Sequence, residues 1–270
     1  MLDRSRQIEL LSKRLPLQVI ERGAGRPFLI LHGGAGPNSV LKLAQAIGDR
    51  NGRAIVPTHP GFDGQVRPNW FCRITDLASA YVELLEQMDV EDVVVVGNSI
   101  GGWIAMEMGL KNSSRISSLV LLNAVGIDTG SKNLTIGNPM TVPPPERPAF
   151  VFHDPQKFAL VPPTPEAAAM MAENQKTTMT YAGEPYMHDP GLRARLSELR
   201  IPALVAWGAS DRIVTQEYGR FLAGSIKGSR FEIIQDAGHL PQIEKAAEVI
   251  ALMQKWSTDT CPASRAVSGR

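Results

Sequence analysis

A serine suited to act as a nucleophile occurs at Ser99, in the pentapeptide Gly-Asn-Ser-Ile-Gly of residues 97–101. An unbroken apolar run at 93–96 precedes it, and a helical pattern at 102–111 follows. A sharp turn from strand to helix frees a serine hydroxyl above a sheet, and glycines two positions to either side permit that turn. The positive end of the helix then faces the site, where negative charge develops during acyl transfer. The motif predicts a nucleophilic serine; the alternative is a chance occurrence in a turn.

A glycine-rich loop at 32–37, with the sequence His-Gly-Gly-Ala-Gly-Pro, follows the apolar run at 28–31. Two converging backbone N–H groups are needed to hold the oxyanion of a tetrahedral intermediate. We expect one from Ile100, directly after the serine, and the other from Gly34, with Ala35 as the near alternative. A phosphate-binding loop is disfavoured because neither Gly-Lys-Ser/Thr nor Gly-x-Gly-x-x-Gly occurs here. An ordinary turn is the remaining alternative.

A carboxylate and a histidine follow Ser99 along the chain, each just past a predicted strand, at Asp211 and His239. Serine, acid and histidine in this chain order are typical of hydrolases built on open α/β sheets. Such sheets place ligands at the carboxyl ends of their strands. Asp211 would fix the imidazole tautomer, and His239 would carry the proton between serine and leaving group. The three residues together predict a serine triad.

Each of these assignments has an alternative. Asp211 fits a turn or a helix N-cap, and His239 fits an exposed loop before Pro241. Asp128 is a rival acid, because it also follows a predicted strand. Asp236 is disfavoured as the acid because it is so close in sequence to His239.

Composition and charge exclude several classes of function. A net charge of +1 gives no electrostatic reason to expect nucleic acid or an anionic membrane as a partner. Because the first fifteen residues carry several charges, we expect no apolar signal core there, and the longest apolar runs are strand-sized. Two distant cysteines have no metal-ligand spacing. We expect a cytoplasmic protein that uses no metal or cofactor and acts on a small molecule; the oligomeric state stays open.

Short apolar runs alternate with helical patterns along the chain, which is typical of a mostly parallel sheet flanked by helices. Strands are predicted at 7–12, 17–21, 27–31, 53–57, 92–97, 116–123, 203–207 and 230–234. Helices are predicted at 40–50, 74–88, 102–111, 216–223 and 241–256.

The alternation breaks in a proline-rich stretch between about 126 and 200, with a short helical pattern at 166–174. A structureless loop of that length is improbable in a compact domain, so the stretch predicts a helical cap. The predicted organisation is a core of residues 1–126 and 199–258, a cap of residues 127–198 and a flexible tail of residues 259–270.

The motifs at 32–34, 59–62, 97–102, 208–211 and 237–239 resemble those of the α/β-hydrolase superfamily over nearly the whole chain. The resemblance implies an eight-stranded, mostly parallel sheet with a helical cap after strand six. Gly-Asn-Ser-x-Gly-Gly resembles hydrolases that cleave carbon–carbon bonds of ring-fission products. Those carry a tryptophan after the catalytic histidine, where this chain has Leu240, and a cap arginine, for which Arg147, Arg193 and Arg195 are available without a matching motif.

The segment Gly-His-Leu-Pro at 238–241 looks more like that of carboxylesterases and lactonases. Hydrolysis of a small carboxylic ester or lactone through an acyl-enzyme is therefore the first hypothesis. Carbon–carbon bond hydrolysis is the second, and a small-molecule receptor that keeps the triad without turnover is an alternative of another class.

Several further residues are candidates for the substrate pocket or its support. Five of the ten methionines fall in the predicted cap, where thioethers make adaptable apolar walls. The predicted pocket residues are Gly33, Ala35, Met170, Met179 and Leu240. His32 and His59 are expected to brace loops rather than transfer protons. His153-Asp154-Pro155 and His188-Asp189-Pro190 are interpreted as turns, not as metal ligands.

Overall fold

An eight-stranded sheet is the centre of the computed structural model, which describes residues 3–12, 14–158 and 164–259. Its strands are β1 (Asp3–Leu10), β2 (Leu15–Gly23), β3 (Arg26–Leu31), β4 (Gly52–Pro57), β5 (Val93–Asn98), β6 (Ile116–Leu122), β9 (Ala203–Gly208) and β10 (Arg230–Ile234). Their spatial order is β1-β2-β4-β3-β5-β6-β9-β10. β2 pairs antiparallel with β1 and with β4, and the remaining neighbours are parallel.

The central strands are apolar on both faces because helices cover both sides of the sheet. In β5, Val93 and Val95 belong to one hydrophobic cluster, and Val94 and Val96 belong to the other. This is the two-residue period of a strand buried on both faces. Helices α2 (Ile74–Gln87), α3 (Ile100–Leu110) and α8 (Gln216–Ser225) pack in the first cluster, and α1 (Asn38–Gly48) and α10 (Ala246–Asp259) pack in the second.

The chain between β6 and β9 is here called the inserted segment, and most of the regular elements in its described part are helices. Near its start, the short strand β7 (Gly126–Ile127) pairs in parallel with β8 (His188–Asp189), which comes before its last helix. Its helices are α4 (Arg147–Val151), α5 (Pro155–Phe158), α6 (Pro165–Ala182) and α7 (Leu192–Arg195), with 3-10 turns at Pro139–Thr141, Pro144–Glu146 and Leu196–Glu198. The helical pattern predicted at 166–174 is thus part of the longer α6.

Two further predicted elements differ from the structure by more than two residues at an end. The helix predicted at 241–256 is two helices, α9 (Pro241–Glu244) and α10, because the backbone leaves the helical region at Lys245 (φ −130°, ψ 44°). The first strand begins at Asp3 rather than at residue 7, and it ends at Leu10 rather than at residue 12 because Leu11 and Ser12 turn with φ of 50° and 55°. Beyond Asp259, the tail predicted as flexible lies outside the described residues.

Candidate active site

Ser99 lies at the sharp turn between β5 and α3, with φ 56° and ψ −120°. A non-glycine residue in such a conformation costs about 1–3 kcal/mol, so the surrounding structure must enforce it. A Cβ at Gly97 would lie 2.1 Å from the carbonyl oxygen of Gly101, and a Cβ at Gly101 would lie 2.2 Å from that of Leu31. Both flanking glycines are therefore required by close backbone approach.

The glycine-rich loop after β3 lies beside the serine. A Cβ built at Gly33 would be 3.0 Å from the Cβ of Ser99. Ile100 is the first residue of α3, where a helix N–H has no intrahelical acceptor. Gly34 is half-buried and Ala35 is exposed. The residues predicted to supply the oxyanion hole thus come from two segments that meet at Ser99.

His239 and Asp211 are in direct contact. The Nδ1 of His239 lies 2.8 Å from Oδ2 of Asp211, and both side chains are buried. The other carboxylate oxygen of Asp211 accepts the N–H groups of Ile213 (2.8 Å) and Val214 (3.1 Å). A carboxylate accepts hydrogen bonds, so in the neutral imidazole Nδ1–H of His239 donates to Asp211 and Nε2 is the acceptor nitrogen.

The two other carboxylates considered from the sequence lie elsewhere. Asp128 is exposed and its Oδ1 accepts the N–H of Gly130 at 2.8 Å. The side chain of Asp236 is 64% exposed and pairs with Lys245 at 3.3 Å. Neither makes a hydrogen bond or an ion pair with His239 in the part of the chain that the structure describes.

Two buried asparagines hold these groups together. The Asn98 amide nitrogen donates to the carbonyl oxygens of His239 (3.0 Å) and Leu122 (3.1 Å), so the residue before Ser99 is tied to the histidine backbone. The Asn123 amide nitrogen donates to Oδ2 of Asp211 at 2.6 Å. Neither role is among the predictions from the sequence; the available signal was an amide side chain at the carboxyl end of a buried strand.

The hydroxyl of Ser99 makes no hydrogen bond to His239 within the described residues. Serine–histidine hydrogen bonds are often long in unliganded enzymes and tighten when substrate binds. The structure therefore joins Asp211 to His239 directly, and ties the residue before Ser99 to the backbone of His239 through Asn98.

His32, the first residue of the glycine-rich loop, forms a buried stack with His59, with ring centroids 3.7 Å apart. Nε2 of His32 accepts the N–H of His59 at 3.1 Å, and Nδ1 of His32 donates to the carbonyl oxygen of Gly33 at 2.8 Å. Burial lowers the pKa of His32 to about 4 and the pKa of His59 well below its usual value. Because of these low pKa values both rings are neutral near pH 7, and their hydrogen bonds hold the loops after β3 and β4 together.

Helix α6 covers this loop. A Cβ at Gly34 would lie 3.1 Å from the hydroxyl of Thr178. Asn174 exchanges two hydrogen bonds with Asp63, at 2.8 and 2.9 Å. The hydroxyl of Tyr181 donates to the carbonyl oxygen of Pro60 at 2.9 Å. One face of α6 is therefore fixed on the loops after β3 and β4.

The predicted pocket residues differ in their exposure. Met170 and Met179 on α6 are each 38% exposed, whereas Leu240, next to His239, is buried. Within the described ranges, no helix is long and apolar enough to span a bilayer, and no cluster of three or more His, Cys, Asp or Glu side chains is suited to a metal ion.

The sequence pattern of the alpha/beta hydrolase family matches residues 28–252, a range that includes Ser99, Asp211 and His239. The chain belongs to this family. Among the relatives of this alpha/beta hydrolase is the 2-hydroxy-6-oxo-6-phenylhexa-2,4-dienoate hydrolase of Comamonas testosteroni. It is 26% identical over 246 residues, which cover 84% of this chain and 86% of the relative.

Solved structures share the fold. The esterase EaEST from Exiguobacterium antarcticum superposes with a TM-score of 0.72 at 19% identity, covering 94% of this chain and 100% of the esterase. An N-acyl homoserine lactone degrading enzyme superposes with a TM-score of 0.70 at 24% identity, covering 93% of this chain and 99% of that enzyme. The family and the fold establish a hydrolase of the α/β type.

Proposed function

We propose that this chain is a serine hydrolase that cleaves a small-molecule carboxylic ester or lactone through an acyl-enzyme intermediate. The observation that carries the proposal is the 2.8 Å contact between His239 and the buried Asp211, on the same sheet edge as the strained Ser99 turn. A buried carboxylate held by two backbone N–H groups orients the imidazole and stabilises it when it becomes protonated.

The proposed mechanism follows from that arrangement. Nε2 of His239 takes the proton from Ser99, and the serine oxygen attacks the carbonyl carbon. The N–H groups of Gly34 and Ile100 hold the oxyanion, helped by the positive end of α3. His239 then protonates the departing alkoxide, and a water molecule activated by the same histidine releases the acid.

Substrate choice is assigned to residues 127–198 of the inserted segment, proposed as a cap over the core of residues 1–126 and 199–258. The hydrogen bonds of α6 to the loop after β4, and the approach of Thr178 to Gly34 in the loop next to Ser99, support this role. The residues proposed to contact substrate are Gly33, Ala35, Met170, Met179 and Leu240.

Carbon–carbon bond hydrolysis is the second candidate, favoured by the named activity of the Comamonas relative. That chemistry needs a site that stabilises a carbanion-like leaving group, for which a cap arginine is the expected ligand. The available arginines all make other contacts. Arg195 pairs with Glu107 (2.7 Å) and Asp189 (2.6 Å), Arg193 donates to the carbonyl of Thr129 (3.3 Å), and Arg147 donates to that of Val142 (3.1 Å). These contacts favour the ester hypothesis.

A substrate panel separates the two chemistries. Short aryl esters, a lactone and a vinylogous 1,5-diketone are assayed with the wild-type enzyme, and kcat/KM is compared. We expect the esters or the lactone to be cleaved best. A diketone cleaved with a kcat/KM far above that of every ester would replace the first hypothesis with the second.

The nucleophile is tested with Ser99→Ala, which should lower kcat by about 10⁴-fold or more while the protein stays folded. Ser79→Ala is a matched control, because Ser79 is exposed on α2 and its hydroxyl bonds the carbonyl of Thr75. Labelling by a fluorophosphonate should be lost only in the first variant. A folded, fully active Ser99→Ala enzyme would refute the mechanism, and absence of turnover on every substrate would favour the receptor.

A further inference from the structure

The backbone of the His239 loop is bonded to the inserted segment. The N–H of His239 donates to the carbonyl oxygen of Val151 at 2.7 Å. A Cβ at Gly238 would lie 2.3 Å from that same oxygen, so only glycine permits this approach. The end of α4 thus lies directly against the residue proposed as the general base.

The carboxylate of Glu244 accepts hydrogen bonds from both sides of this junction. Oε2 of Glu244 accepts the N–H of Gly238 at 2.6 Å. Its Oε1 accepts the N–H groups of His153 (2.9 Å) and Asp154 (3.0 Å). Three backbone donors from two distant stretches of chain therefore converge on one side chain, which is half-buried in α9.

The junction also contacts the loop that carries Asp211. Nδ1 of the His153 ring lies 2.8 Å from the hydroxyl of Ser210, the residue before Asp211. The same short stretch, residues 151–154, is therefore bonded to both loops that present Asp211 and His239. Removing the carboxylate of Glu244 would take the acceptor from three N–H groups. The stretch would then be held to the histidine loop by the bond from the N–H of His239 to Val151.

We propose that Glu244 is a positioning residue, which clamps residues 151–154 of the inserted segment to the His239 loop and so fixes the imidazole relative to Ser99. This inference rests on the proposed function of His239. Glu244 acts through the backbone of Gly238 and does not touch substrate. A misplacement of about 1 Å at a catalytic group can cost roughly 100-fold in rate, which sets the scale of the effect.

Two variants test the clamp. Glu244→Ala removes all three acceptors and should lower kcat about 100-fold. Glu244→Gln keeps the side-chain length and one carbonyl oxygen, so it should restore part of the rate, leaving a loss of about tenfold. In both, KM for the best ester should stay within about twofold of wild type, because ground-state contacts to substrate are unchanged.

Glu248→Gln is the matched control, because Glu248 is an exposed glutamate on the neighbouring α10. It should leave kcat and KM unchanged. The rate of fluorophosphonate labelling, which reports activation of Ser99 without turnover, should fall in the Glu244 variants in parallel with kcat. Urea unfolding gives the folded fraction of each variant at the assay temperature.

The outcomes separate this inference from the proposed function. A wild-type enzyme that neither turns over the panel nor reacts with the fluorophosphonate contradicts both. An active wild type with Glu244 variants of unchanged kcat contradicts the clamp alone, as does a loss of rate that equals the unfolded fraction. If Glu244→Ala does not fold, the kcat and KM of Glu244→Gln decide.

Discussion

Acidification should destabilise this protein through the buried pair His32 and His59. Both imidazoles are fully buried and neutral, and burial lowers the pKa of His32 to about 4 and that of His59 well below its usual value. In the unfolded chain each returns to a pKa of about 6.5. As the pH falls below about 6.5, the unfolded state therefore binds more protons than the folded state. The stability that comes from keeping both imidazoles neutral is complete above about pH 6.5 and is lost as the pH falls toward 4.

The size of the effect follows from the His32 shift. Each pH unit between the unfolded and folded pKa values changes the free energy of unfolding by about 1.4 kcal/mol. Between about pH 6.5 and pH 5, His32 alone should remove about 2 kcal/mol. His59 shifts in the same direction and adds to that loss. A domain stable by about 5–15 kcal/mol would lose a measurable part of its stability.

Urea unfolding at about pH 7 and about pH 5, in wild type and in His32→Gln, measures this contribution. Glutamine can still accept the N–H of His59 but does not titrate. We expect the variant to be less stable at neutral pH and to lose about 2 kcal/mol less than wild type on acidification. His188→Asn is the control for removing an imidazole, because the His188 ring lies outside the junction at residues 151–154 and bonds the carbonyl of Tyr186. An equal acid-induced loss in wild type and His32→Gln would refute the reasoning.

Two further predictions concern the site and the cap. Asp211→Asn should lower kcat by about 10⁴-fold because the imidazole of His239 loses its fixed tautomer. Asp128→Asn should leave kcat near the wild-type value. The reverse order in steady-state kinetics would assign the acid to Asp128. Met170→Ala and Met179→Ala should change the relative rates among acyl chains of different length more than the melting temperature. Lower stability with unchanged selectivity would mark these methionines as packing residues alone.

Local patterns predicted the main elements of the sheet well. The apolar run before Ser99 predicted a strand at 92–97, and β5 spans Val93–Asn98. The strand is recognisable because both of its faces are buried, which leaves no polar alternation in the sequence. The order of strand, glycine-flanked serine and helix is likewise a local property, so the position of Ser99 at the turn could be predicted.

Contacts between distant segments could not be predicted in the same way. The sequence left the acid open between Asp211 and Asp128, because both follow strands, and the choice depends on which loop reaches His239. The hydrogen bonds of Asn98 and Asn123 depend on the order of β5, β6 and β9 in the sheet. Periodicity also concealed the break at Lys245, because apolar residues continue at helical spacing on both sides of it.

The pairing of β7 with β8 has a consequence for how such a chain can diverge. Two points of the inserted segment, near its start and just before α7, lie side by side, with Gly126 opposite His188 and Ile127 opposite Asp189. The chain between two points that already meet can be lengthened, shortened or exchanged at little cost in loop-closure entropy and without shifting β6 against β9. The part of the inserted segment between β7 and β8 can thus be replaced as a module, while the strand ends that carry Ser99, Asp211 and His239 keep their geometry.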